Sequence, residues 1–195
     1  MAPKRRRAAT GRRAPRPSPA PRSPSPRRPA RPALRFLVVF LGIATGLFLL
    51  YRLSEVTHAF RAVNEVNAGL SGVVLSVAGV ANTRMGTTLQ FESGGFDVIS
   101  ECSGVYVAIL FAAAVLAFPA PWRARALGLA AGLLLIFGIN ILRLASLGVI
   151  LQHRPAWMPL FHEYLWQVLF ILIVAAIYVA WLERIVLRAR THPAA

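Results

Sequence analysis

Hydrophobic positions fall into four long blocks, and the polar segments between them differ sharply in character. Residues 34–53 read LRFLVVFLGIATGLFLLYRL, close to the roughly twenty apolar residues that cross about 30 Å of hydrocarbon. Arg35 and Arg52 sit near the block's ends, where long side chains reach out to the interface. No clear small-x-small cleavage site follows, so the block reads as an uncleaved anchor. Residues 105–118 form the second block, which reaches crossing length if Cys102–Gly104 supply its first turn; Pro119 and Pro121 end it. Residues 126–151 form the third, closed by His153, Arg154 and Pro155, and residues 164–182 the fourth. The pattern predicts an all-α integral membrane bundle of four transmembrane helices, with spans at about 34–53, 103–118, 126–151 and 164–182.

The segment 54–101 breaks this pattern. Val56, Phe60, Val63, Leu70, Val74 and Val77 recur mostly at three- and four-residue steps, which predicts an amphipathic helix whose apolar face lies on the membrane surface or packs on the bundle. Gly69, Gly72 and Gly79 weigh against one continuous helix. Two short runs, residues 87–91 and 96–100, flank Ser93-Gly94-Gly95 and read as a small β-hairpin. Its second strand leads into Cys102.

Charge orients these elements. The formal net charge is +15, and residues 1–35 carry Lys4 and eleven arginines with no acid, so the rest of the chain is close to balanced. Nine prolines lie between Pro3 and Pro32. Mutual repulsion, missing backbone donors and the lack of apolar surface predict that residues 1–33 are a disordered basic tail. Two roles compete for it, nucleic-acid binding and retention on the cytoplasmic face near anionic lipid. The span that follows at once and the absence of interleaved aromatics favour the second, and no nucleic-acid partner is expected. The 119–125 loop and the tail at 186–195 are also Arg-rich, whereas residues 54–101 hold five of the seven acids. The positive-inside rule therefore puts both termini in the cytoplasm and the 54–101 segment outside.

Candidate chemistry enters through Cys102, the only cysteine. A single cysteine excludes an intramolecular disulfide and a cysteine-based metal cage; no metal or other cofactor is expected. With a rise of about 1.5 Å per residue, Cys102 lies about 24 Å above the cytoplasmic end of its span, Arg143 about 26 Å and His162 about 30 Å. Three chemically conspicuous side chains from three spans thus fall in one layer near the outer interface. A thiol at a helix start beside a cation is activated toward thiolate, and an imidazole within reach takes its proton and later returns it to a leaving group. Two roles are open to Arg143: thiolate stabilisation, or stabilisation of a tetrahedral oxyanion. Asn140, one turn before Arg143 on the same face, is a candidate to orient it. Glu163 adjoins His162 in sequence without thereby being its partner, and Glu101 opposes thiolate formation unless it points away.

The ordered set Cys102-Ser103-Gly104 opening a span, Asn140-Ile-Leu-Arg143 late in the next, and Phe161-His162-Glu163 before the last resembles the exosortase/archaeosortase family over roughly residues 36–185. The few spans before the cysteine resemble its compact exosortase H-type branch. The resemblance implies an exosortase-like membrane domain at residues 34–185 and a cysteine transpeptidase or protease of the bacterial inner membrane. Its partner would be the C-terminal sorting-signal helix of exported proteins, cleaved at the outer face through a thioester acyl-enzyme. Cys102, Arg143 and His162 would be catalytic, with Asn140, Ser103 and Glu163 in support. The 55–100 segment, directly before Cys102, is the candidate grip for the recognition motif. The competing class is a non-catalytic membrane protein, a small transporter subunit or assembly factor, although no internal repeat points to a transporter.

Overall fold

The computed structural model describes residues 31–56 and 61–187. The basic stretch before residue 31 and the tail from residue 188 lie outside the described residues, as does Phe60 of the expected apolar face. Helix α1 runs Arg31–Val56, α2 Arg61–Val77, α3 Val105–Ala117, α4 Trp122–His153 and α5 Trp166–Trp181. Strands β1 (Thr83–Met85), β2 (Thr88–Phe91) and β3 (Gly94–Asp97) lie between α2 and α3.

Three helical stretches are long and apolar enough to cross a membrane: Pro32–Ser54, Trp122–His153 and Pro155–Arg184. The expected second span is α3, apolar but only 13 residues long, about 20 Å of helix. Its start at residue 103 does not hold. Gly104 has φ +74°, which takes the chain out of helical geometry before Val105. The other spans are longer than expected. The α1 helix already includes residues 31–33, α4 absorbs most of the 119–125 loop from Trp122 onward, and the last helical stretch begins at Pro155 rather than at 164.

The hairpin is part of a three-stranded antiparallel sheet of order β1-β2-β3. Residues 92–93 turn between β2 and β3, and Gly94 and Gly95 belong to β3, pairing with Phe91 and Gln90. The third strand ends at Asp97, earlier than the hydrophobic run suggested. Beyond it Val98 still donates its N–H to the Thr87 carbonyl, and the chain then enters a tight 3-10 turn at Ser100–Cys102.

The buried face of α2 differs in part from the sequence expectation: Leu70 and Val77 are exposed, whereas Val63 is half-buried and Val74 packs against the buried cluster around Leu75 and Leu89. Its buried residues are Asn67, Ala68, Ser71, Gly72 and Leu75, a mostly small and polar stripe packed against α4. Val66, Leu70, Val73 and Val77 point outward and are exposed. Small residues let the backbones of α2 and α4 approach closely. Gly69 and Gly72 are accommodated within α2 rather than breaking it, while Gly79, at φ +79°, lies in the turn beyond its end.

Two cores result. One lies beneath the sheet and gathers Ala68 and Leu75 of α2, Leu89 and Phe91 of β2, Val98, Cys102, and Leu144 and Ala145 of α4. The other fills the α3–α4–α5 bundle with Phe111, Val115, Ile136, Phe170, Val174 and Trp181. A Cβ at Gly132 of α4 would overlap the Phe111 ring; the notch sets α3 close against α4. The Trp181 indole donates to the Ala124 carbonyl at 2.9 Å, fastening α5 to the start of α4. The α1 helix leans on α3 through Phe48 and Tyr51, whose rings meet Tyr106 at 5.8 and 5.4 Å.

Candidate active site

Cys102 sits where these two cores adjoin. Four local features place it. The 3-10 turn is closed by the Cys102 N–H on the Ile99 carbonyl (2.9 Å) and the Ser103 N–H on the Ser100 carbonyl (3.2 Å). The Ser103 hydroxyl donates to the same Ser100 carbonyl at 2.7 Å. Gly104 takes the left-handed conformation, and a Cβ there would stand 3.2 Å from the Asn140 side-chain carbon, so glycine meets a torsional and a steric requirement together. The Asn140 amide of α4 donates to the Cys102 carbonyl at 3.0 Å.

Cys102 is 8% exposed, and its Sγ lies 3.6 Å from His162 Nε2. His162 is carried by a wide π-type turn, Leu160–Leu165, that leads into α5. Such turns shift a side chain out of helical register and are frequent at functional sites. Arg143 is 4% exposed, with its guanidinium carbon 5.7 Å from the centre of the Phe170 ring. Its Nε has no hydrogen-bond partner within the described residues. A buried, unpartnered guanidinium nitrogen on a membrane helix is a costly arrangement, seldom kept without a use.

Burial pushes the Cys102 thiol up from its ordinary value, because a low-dielectric surrounding disfavours the thiolate. The Arg143 charge acts against burial and is the largest counterweight. Glu101 and Asp97 push the thiol up further, as smaller contributions. The Glu101 side chain is exposed, so water screens the acid next to the thiol.

The structure thus brings Cys102 and His162 into contact, with Arg143 within electrostatic reach of the thiol. The supporting candidates fare differently. Asn140 lies in the site but hydrogen-bonds Cys102 and Asn67, not Arg143, so the expected orienting contact is absent among the described residues. Ser103 is buried, and its hydroxyl is spent on its own turn. Glu163 is exposed and makes no hydrogen bond to His162 among the described residues. One neighbour escaped the sequence reading: Asn67 of α2, fully buried, accepts from Asn140 at 3.0 Å. The available signal was a polar residue on the small-residue face of an amphipathic helix. No group of three or more His, Cys, Asp or Glu residues suited to a metal ion occurs among the described residues.

Fold and site together define a helical membrane protein with a buried cysteine against a half-buried histidine and a buried arginine within electrostatic reach. The transmembrane exosortase family (Exosortase EpsH) matches residues 27–179, and the chain belongs to that family. No curated protein and no solved structure matches the chain.

Proposed function

We propose that this protein is a membrane-embedded cysteine transpeptidase or protease that cleaves C-terminal sorting signals of exported proteins. The observation that carries the reading is the 3.6 Å approach of Cys102 Sγ to His162 Nε2 in a chain of the exosortase family. His162 takes the thiol proton as Cys102 attacks the scissile carbonyl carbon. The resulting oxyanion is met by the free Nε–H edge of Arg143, a fixed donor in a dry site. Collapse breaks the C–N bond, His162 returns the proton to the departing amine, and the acyl group stays on Cys102 as a thioester. An amine or water then attacks the thioester, releases the product and restores the thiol.

In this reading α3 is the fourth crossing, short because the Ser100–Gly104 turn brings the active cysteine down to the edge of the hydrocarbon. Arg-rich ends and loops lie in the cytoplasm, and Cys102 and His162 face outward at the inner membrane. The domain comprises residues 34–185, with basic cytoplasmic segments on either side, and the sheet before Cys102 holds the recognition motif.

Co-expression with an exported protein bearing a tagged C-terminal sorting signal tests the proposal. Cys102→Ala, Arg143→Ala and His162→Ala should each abolish processing while the protein remains in the membrane fraction. Full processing by Cys102→Ala would overturn the enzyme reading.

A further inference from the structure

The geometry points to Asn67 as a positioning residue that acts through Asn140 to hold Cys102 against His162. Three hydrogen bonds form a directional chain across three elements. Asn67 Nδ2 donates to the Val63 carbonyl one turn earlier on α2, at 2.9 Å. That bond fixes the rotation of the Asn67 amide and turns its Oδ1 toward α4. Asn140 Nδ2 then donates twice, to Asn67 Oδ1 and to the Cys102 carbonyl, each at 3.0 Å. Both asparagines are completely buried.

The order of donors and acceptors matters because an amide is asymmetric. An asparagine turned over by 180° presents oxygen where it had presented nitrogen. At Asn140 this would set Oδ1 against the Cys102 carbonyl, two acceptors face to face in a buried site. Asn140 Oδ1 has no partner among the described residues, so the orientation of this amide rests on the acceptors that face its Nδ2. Asn67 adds a second acceptor that only the productive orientation satisfies, and its own orientation is fixed by backbone. The Cys102 carbonyl needs this outside donor because the left-handed Gly104 interrupts the helix directly after it. With the carbonyl held from α4 and the Cys102 N–H held by Ile99, the peptide units on both sides of Cys102 are pinned, and Sγ is aimed at His162. Among the described residues Asn67 makes no hydrogen bond to the thiol or the imidazole; its effect passes through Asn140.

The positioning role rests on the proposed Cys102–His162 chemistry, but its test needs no substrate. Cys102 is the only cysteine, so alkylation of the purified full-length protein by iodoacetamide reports this thiol alone. The rate is followed from pH 6 to pH 10 for wild type, Asn67→Ala, Asn140→Ala, the double variant, His162→Ala and Ser71→Ala. Ser71 is a second buried polar residue on the same α2–α4 interface, donating to the Ile141 carbonyl at 3.4 Å, and it has no hydrogen bond to Cys102 or Asn140 among the described residues. Asn67→Ala is expected to slow alkylation at neutral pH at least threefold and to move the profile toward that of His162→Ala. The double variant should match Asn140→Ala, because residues acting in series do not add. Ser71→Ala should keep the wild-type profile whatever its loss in thermal stability. An unchanged Asn67→Ala profile, an additive double variant, or a Ser71→Ala shift equal to that of Asn67→Ala would each overturn the assignment. A His162→Ala profile identical to wild type would instead remove the Cys–His pairing on which the proposed function depends.

Discussion

Cys102 owes its position to neighbours with no reactivity of their own. Gly104 is the most demanding of them, because a side chain there meets both an unfavourable φ and the Asn140 amide. Gly104→Ala should lower stability by about 1–3 kcal/mol, read as a fall in the thermal unfolding midpoint in detergent, and should slow alkylation of Cys102. Arg143 acts on the thiol through charge rather than through a hydrogen bond. Burial raises the thiol's pKa and Arg143 lowers it, so removing the cation leaves burial unopposed. Arg143→Gln should move the alkylation midpoint to higher pH; a midpoint at or below the wild-type value would contradict this role. Glu101, the acid beside the thiol, needs no special accommodation, since its side chain is exposed.

Among the elements, the sheet is the lid of the core that holds the Cys102 turn. Leu89 of β2 is fully buried in the same cluster as Cys102 and Val98. Leu89→Ala should cost about 2–5 kcal/mol, measured by thermal unfolding, because a cavity opens in the core that includes Cys102. The helices were legible in the sequence wherever one physical constraint dominated. Long apolar runs must cross lipid, so α1, α4 and the last helix were evident; a constant rise per residue put Cys102, Arg143 and His162 in one layer, although the left-handed Gly104 breaks the helix that this reckoning assumed for Cys102. The buried face of α2 was legible only in part. Val66, Leu70, Val73 and Val77 face away from the bundle, and Asn67 and Ser71 pack inside because the Val63 carbonyl and the Asn140 amide partner Asn67 and the Ile141 carbonyl partners Ser71. Neither β1 nor the early end of β3 carried a signal, since three- and four-residue strands take their stability from pairing rather than from propensity. The family itself was readable from the ordered Cys, Asn-x-x-Arg and His motifs, which the match over residues 27–179 bears out.

In the whole molecule, one compact site lies between the helical bundle and the small sheet-covered core. Its topology is open to direct measurement. In a Cys102→Ala background, a membrane-impermeant thiol reagent applied to intact spheroplasts should label Glu101→Cys and leave Arg123→Cys unlabelled until the membrane is broken. Both positions are exposed in the fold, so access depends on the side of the membrane. Labelling of Arg123→Cys from outside would reverse the orientation. The central claim is that Cys102 carries the acyl group, and hydroxylamine capture tests it most directly. Membranes containing the protein and a tagged sorting-signal substrate, treated with hydroxylamine during turnover, should yield the substrate's hydroxamate, with none formed by Cys102→Ala. Processing that yields no hydroxamate, or that continues without Cys102, would contradict the account.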